Sequence, residues 1–299
     1  MRGEGADQRL DPWGKTNIGG RGQKMEPGAP HECASVRPPR TKDWPANRRF
    51  LTIRNRCTER GTWCFSDSWH AMTVVVAFVS RKGGVGKSTF ARALAAVAAR
   101  RGLVTTLADL DKDQKTSSRW QRLREKHQVF PPLTVEAYPN IDAAIASEPD
   151  ADLLIADAPG NAPELTMEIA SVAHFVVQPS GACFDDLQPA VELFYQLKSS
   201  GIPKSRLYVA LSRMLDPDEE EAARAYIEVA DFSVLPGAVV ERARYREAHN
   251  RGLAFIESPG EDLAASAGVA LGALLTKIIR KHRALRPRPE NAVALSQPS

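Results

Sequence analysis

Nine consecutive residues, Arg81-Lys82-Gly83-Gly84-Val85-Gly86-Lys87-Ser88-Thr89, combine three glycines with two lysines and a Ser-Thr pair. Glycines let backbone N–H groups turn inward around an anion, and a helix starting just beyond adds its partial positive charge. In such a loop Lys87 reaches the β- and γ-phosphates of a nucleotide, the Ser88 hydroxyl ligates Mg²⁺, and Thr89 approaches the α-phosphate. The strict phosphate-loop pattern asks for a glycine five residues before Gly86, where Arg81 stands. The match is therefore to a variant loop, with Lys82 as an additional cation. Phosphoryl transfer also needs acids. Asp157 closes the apolar run Leu153-Leu154-Ile155-Ala156 and is placed to hold Mg²⁺ through a water, while Asp109, Asp111 and Asp113 close a second run.

The elements around these residues are those the chemistry requires. An apolar stretch at 73–79 (TVVVAFV) predicts a buried strand ahead of the loop, and the alanine-rich stretch at 90–101 predicts a helix after it. Further strands are expected at 103–109, 133–137, 152–158, 173–178 and 207–212, with a short one at 233–235. Helices are expected between them at 116–127, 141–146, 164–171, 187–198 and 217–229, then at 241–251 and 262–283. Pro189 is expected in the first turn of the 187–198 helix, where proline costs little. Strands alternating with amphipathic helices predict an α/β fold, a doubly wound, mostly parallel sheet flanked by helices. Ligands in such sheets bind beyond the carboxyl ends of the strands, where the loop and the acids all fall.

The variant loop, the segment LADLDKDQKTSSRW beginning at Leu107 and the segment DLLIADAPG beginning at Asp152 together resemble the ParA/MinD family of deviant Walker ATPases. They are most similar to its short ParA-type partition members, over roughly residues 72–281. The resemblance implies ATP and Mg²⁺ as cofactors and hydrolysis of ATP to ADP and phosphate. It implies that Asp111 orients the attacking water and senses the γ-phosphate, with Asp109 supportive. The family usually continues with proline then glutamine, whereas this chain has Lys112, Asp113 and then Gln114. That extra residue leaves Asp111 and Asp113 as alternatives, with Asp111 favoured. Lys82 is implied to cross a dimer interface to the partner's nucleotide, as a cation supplied in trans. Two lysines facing the same phosphates would repel until an anion arrives. The partners implied are a second copy of the chain, DNA without sequence preference, and a ParB-like or other adaptor that stimulates hydrolysis. The location implied is the cytoplasm, in association with the nucleoid.

Composition separates the chain into unequal parts. Residues 1–71 hold 13 Lys+Arg against 8 Asp+Glu, and the remainder holds 27 against 28, so the basic excess belongs to the leader. Only seven Leu, Ile, Val or Phe occur in that leader, too few to offset chain entropy, and disorder is expected there and at 285–299. The ATPase domain is expected to span 72–284, and Met72, directly ahead of the first strand, is a candidate start. His31, Cys33, Cys57, Cys64 and His70 lack the usual zinc spacing. Cys183 is the lone cysteine of the domain, which excludes a disulfide framework there and disfavours an iron–sulfur carrier. Candidate DNA contacts are Arg242, Arg244, Arg246 and Arg251, then Lys277, Arg280, Lys281, Arg283, Arg286 and Arg288. Leu274, Leu275, Ile278, Ile279 and Leu285 could form the apolar side of a MinD-like membrane-surface helix, although packing onto the sheet is the expected role. Stable membrane insertion is not expected. A nucleotide-binding scaffold without catalysis is the third alternative.

Overall fold

The computed structural model describes residues 73–258 and 261–285, with side chains from 268 in the second span. The expectations for the leader, for the His/Cys set within it, and for Arg286 and Arg288 lie outside the described residues. Within them the chain runs β1 Val74–Phe78, α1 Lys87–Arg100, β2 Thr105–Asp109, α2 Thr116–Lys126, β3 Thr134–Ala137, α3 Ile141–Ser147, β4 Leu153–Asp157 and α4 Pro163–Val172. It continues β5 Phe175–Ser180, α5 Phe184–Ser199, β6 Leu207–Met214, α6 Pro217–Val229, β7 Ser233–Val240, α7 Ala243–Asn250 and α8 Glu261–Leu285.

The seven strands form one sheet in the order β3-β2-β4-β1-β5-β6-β7, and every pairing is parallel. β1, β2 and β4 are buried along their whole length, which is why β1 and β4 read as apolar runs rather than alternations, while β2 buries two threonines ahead of Leu107 and Ala108. Successive side chains of β1 enter opposite layers. Val74, Val76 and Phe78 join the core containing Phe90 and Leu94 of α1 and Leu274 of α8, while Val75 and Ala77 join Ile169 of α4 and Phe194 of α5. From β1 the chain first winds outward through β2 and β3 and later through β5, β6 and β7. The loop after β1 therefore sits where the winding reverses, the place such sheets use for ligands.

Two elements depart most from the sequence expectation, while the last helix packs as expected. β7 spans eight residues rather than three, although it contains Pro236 and Gly237. It is an edge strand, which tolerates proline, and its register against β6 shifts at two places. Gly237 takes φ +73°, and the Arg224 guanidinium caps the carbonyls of Leu235 and Gly237, each at 3.0 Å. α5 begins at Phe184, so Pro189 falls in its second turn, not its first. A proline there removes the N–H that the Asp185 carbonyl would otherwise receive. On α8, Leu271, Leu274, Leu275 and Ile278 are buried, with Ile279 and Leu285 packed beside them. The apolar side of that helix is core. No helix among the described residues is long and apolar enough to cross a membrane.

Candidate nucleotide site

The loop owes its shape to two left-handed glycines, Gly84 at φ +76° and Gly86 at φ +107°, and Gly86 also serves as the N-cap of α1. Its ends are tied down. The Ser212 hydroxyl donates to the Val85 carbonyl at 3.0 Å, and the Lys82 N–H donates to Ser80 Oγ at 3.0 Å. Gly83 and Gly84 stay exposed, while Val85 is buried. The turn after β4 approaches closely, since a Cβ built on Gly160 would stand 3.5 Å from both Gly83 Cα and Lys87 Nζ. Lys87 is buried and donates to the Lys82 carbonyl at 3.3 Å. Burial pushes its pKa below the ordinary lysine value, with Asp157 and Asp111 pulling the other way. A desolvated ammonium beside inward-turned amides gains most when an anion arrives. Ser88 and Thr89 follow in the first turn of α1, with Ser88 Oγ 3.4 Å from Thr116 Oγ1.

The acids occupy distinct environments. Asp109 and Asp157 are register partners at the ends of β2 and β4. Asp109 Oδ2 accepts the Ser118 N–H at 2.9 Å and its hydroxyl at 2.8 Å, so it fastens the first turn of α2. Asp157 Oδ2 accepts the Ser117 hydroxyl at 2.7 Å, but Oδ1 is buried without a hydrogen-bond partner. Burial raises the Asp157 pKa to about 6, against the pull of the Ser117 and Ser88 hydroxyls and of Arg92. Asp111 is half-buried, its Oδ1 accepting the N–H groups of Asp113 (3.2 Å) and Gln114 (2.8 Å), and its charge reaches Lys87. Asp113 is exposed. An orphaned carboxylate oxygen beside a first-turn serine hydroxyl suits a hard, oxygen-seeking cation such as Mg²⁺. Asp157 through water and Ser88 directly would hold it; bound there, Mg²⁺ would neutralise charge between phosphate oxygens.

Lys82 is held within its own chain. Its ammonium lies 2.5 Å from Asp186 Oδ1 and 3.5 Å from the Asp185 carbonyl, the one freed by Pro189. Arg213, at the left-handed φ of +58°, takes the other oxygen of Asp186 at 2.6 Å. Gly181 makes room, because a Cβ there would fall 2.3 Å from Asp186 Oδ2. The side-chain hydrogen bond to Asp186 raises the Lys82 pKa, and the two cations hold Asp186 below the usual carboxylate value despite its burial. The two loop lysines therefore take different partners, Lys82 the Asp186 carboxylate and Lys87 the Lys82 carbonyl. Lys82 is neutralised by an acid that sequence reading had not connected to it.

A parallel sheet in this order, a glycine loop at its reversal point and strand-end acids around a buried lysine form a nucleotide-binding frame. The family description "CobQ/CobB/MinD/ParA nucleotide binding domain" matches residues 76–256, more than half of the chain. The chain belongs to this family. No curated protein matches it by sequence. Among solved structures it resembles the MinD cell division protein of Aquifex aeolicus (15% identity, TM-score 0.55), covering 68% of this chain and 97% of that one. It also resembles MinD of Pyrococcus horikoshii OT3 complexed with Mg-ADP (16% identity, TM-score 0.56, 71% and 99% covered). A third is a Cyanothece McdA variant complexed with ATP (17% identity, TM-score 0.51, 68% and 96% covered). These likenesses are of fold.

Against the family frame, the residues that sequence reading missed are mostly polar partners: Arg92, Ser117, Ser118, Asp186 and Arg213. The adjacent serines after Thr116 were visible, but nothing in their spacing tells which acid each reaches. The basic candidates divide between opposite ends of the sheet. Arg242, Arg244 and Arg246 follow the carboxyl end of β7, on the loop's edge, and are exposed, with Arg246 paired to Glu241 at 2.8 Å. At the C-terminal end of α8 the neighbours are different. The Lys277 ammonium lies 5.0 Å above the Tyr208 ring near the start of β6, and His282 Nε2 pairs with Asp152, just ahead of β4, at 3.1 Å. That cluster, with exposed Arg280 and Arg283 and half-buried Lys281, lies at the far edge.

Proposed function

We propose that the chain is a Mg²⁺-dependent, DNA-partitioning ATPase of the ParA type. ATP closes a homodimer, the dimer holds DNA without sequence preference, and a ParB-like or other adaptor stimulates hydrolysis and resets the cycle. The observation that carries the reading is the convergence of the glycine loop, Asp111 and Asp157 on buried Lys87 at one sheet edge. Lys87 and Mg²⁺ would draw charge from the phosphates, and Asp111 would orient the attacking water, so catalysis is positioning plus electrostatics. Asp113, solvent-exposed, is the weaker candidate for that work. Lys82 would leave Asp186 for the partner's nucleotide. Arg213 would then remain on Asp186, so the buried carboxylate would not be stranded. A role like that named for MinD, in cell division, draws on the same fold. The membrane-surface version of it loses its support where the apolar side of α8 is packed into the core. A cytoplasmic, nucleoid-associated location belongs to the proposal.

Turnover and sizing test it together. Basal hydrolysis is expected at roughly 10⁻⁴ to 10⁻² per second, the range of phosphate-loop enzymes whose transition-state clamp is incomplete. Size-exclusion chromatography is expected to give a dimer with a slowly hydrolysed ATP analogue and a monomer with ADP. A monomer in both states, with no turnover, would leave a nucleotide-binding scaffold.

A further inference from the structure

The first turn of α2 is fastened to both strand-end acids at once. Ser118 holds Asp109, and its neighbour Ser117 holds Asp157. The Ser117 hydroxyl is buried and also accepts from Arg92 Nε at 3.2 Å. Donor chemistry fixes the direction of this chain. Guanidinium nitrogen has no acceptor capacity, so Ser117 Oγ must accept from Arg92, and its single proton is left for Asp157. Arg92 is itself held, buried with its guanidinium 5.5 Å from the centre of the Trp120 ring. The other side of the support is Arg124, 5.4 Å from that ring and paired through both terminal nitrogens to Glu257, at 2.6 and 3.0 Å.

We infer that Ser117, its proton aimed by Arg92, is a positioning residue for Asp157: it occupies Oδ2 and so leaves Oδ1 as the oxygen offered to the hydration shell of nucleotide-bound Mg²⁺. The inference rests on the proposed nucleotide function and deepens it. Oδ1 is the one carboxylate oxygen of the strand-end acid that is buried and unpartnered, so the occupied and free oxygens are already distinguished. Without the Ser117 donor the carboxylate plane is free to rock about the Cβ–Cγ bond, and the orientation that offers an oxygen to the metal is held for only part of the time. The loop bearing Asp111 and Asp113 runs directly into this turn. A displacement of α2 would therefore disturb the water-orienting acid and the metal acid together.

The test is a Mg²⁺ titration of fluorescent ADP binding to the full-length protein, run beside binding in EDTA. Groups that orient metal ligands typically contribute about 10- to 100-fold in metal affinity. Ser117→Ala is expected to raise the half-saturating Mg²⁺ concentration by about 10-fold while leaving the EDTA affinity unchanged. At saturating Mg²⁺, hydrolysis should recover most of its rate, so the defect appears in the Mg²⁺ requirement and not in maximal turnover. Ser117→Thr, which keeps the hydroxyl, should restore the wild-type midpoint. Arg92→Leu, which leaves the hydroxyl present but unaimed, should shift the midpoint in the same direction by less, and it serves if Ser117→Ala does not fold. An unchanged midpoint in Ser117→Ala, or equal shifts in Ser117→Ala and Ser117→Thr, would overturn the inference while the wild-type protein still bound Mg-nucleotide. A wild-type protein that bound no Mg-nucleotide would overturn the proposed function, and this inference with it.

Discussion

The two edges of the sheet complete their polar groups differently. Where the strands begin, the bonds close. The Thr73 hydroxyl donates to the Ala151 carbonyl at 2.8 Å, and Asp152 accepts the Val104 N–H at 2.9 Å while pairing with His282. His174 Nδ1 accepts the Val75 N–H at 3.0 Å. Where the strands end, capacity is left over. Asp157 Oδ1 has no partner, Lys87 is desolvated beside a glycine loop, and Lys82 and Arg213 share one carboxylate. Buried polar groups are normally satisfied because leaving one without a partner costs about 1–3 kcal/mol. Unspent bonding at one edge, against completed bonding at the other, marks the first as the place for a ligand and the second as scaffold.

Substitutions at the two edges should therefore fail in different ways. The largest effect is expected from Lys87→Ala, which removes the buried cation at the loop. ATP affinity by calorimetry should fall about 100-fold or more, as charged hydrogen bonds contribute roughly 1.5–3 kcal/mol each and more than one would be lost. Melting temperature without nucleotide should hold or rise, since a desolvated charge is gone. Asp111→Ala should lower turnover about 100-fold with ATP affinity kept, the scale usual for a positioned acid–base group, whereas Asp113→Ala should stay within about twofold of wild type. The reverse ranking would show that the extra residue after Asp111 shifts the alignment.

The closed edge should respond in stability alone. His282→Ala removes an ion-pair partner of buried Asp152 and should cost about 1–3 kcal/mol in urea unfolding, with ATP affinity unchanged. The smallest effect is a pH dependence. His174 must be neutral at Nδ1 to accept from Val75, and burial, with Lys281 and Arg206 nearby, pushes its pKa down to about 4. The unfolded chain titrates near the ordinary histidine value of 6.5, so between the two values it binds more protons than the folded chain. This contribution is complete above about pH 6.5 and declines as pH falls toward 4. Thermal unfolding of His174→Gln should be less pH-sensitive across that window. Some sensitivity should remain, because burial also pushes His249 down to about 4.

Much of this division was legible in the sequence. Strands buried on both faces announce themselves as apolar runs, and a glycine loop between such a run and a helix has few other readings. Pro236 and Gly237 hid most of β7, because edge position and a register shift excuse residues that would break a central strand. The placement of Asp186 against Lys82 was not legible, since the two are joined only when α5 begins three residues earlier than its apolar pattern suggests. The orphaned oxygen of Asp157 was likewise invisible. It depends on which oxygen Ser117 takes, a matter of packing rather than spacing.

Filter binding of non-specific duplex DNA with ATP, ADP or no nucleotide tests most directly the proposal that nucleotide at the open edge controls attachment to DNA. ATP-bound protein should retain DNA at low salt and release it as salt rises, with a steeper slope than the ADP form because a dimer doubles the phosphate contacts, each adding about 0.9 to the slope. Lys82→Ala should keep ATP binding yet lose both dimer and DNA. Arg242→Glu with Arg244→Glu, on the loop's edge, and Arg280→Glu with Lys281→Glu, on the far edge, should identify which basic cluster makes the contact. DNA affinity that is the same with ATP, with ADP and without nucleotide would contradict the account.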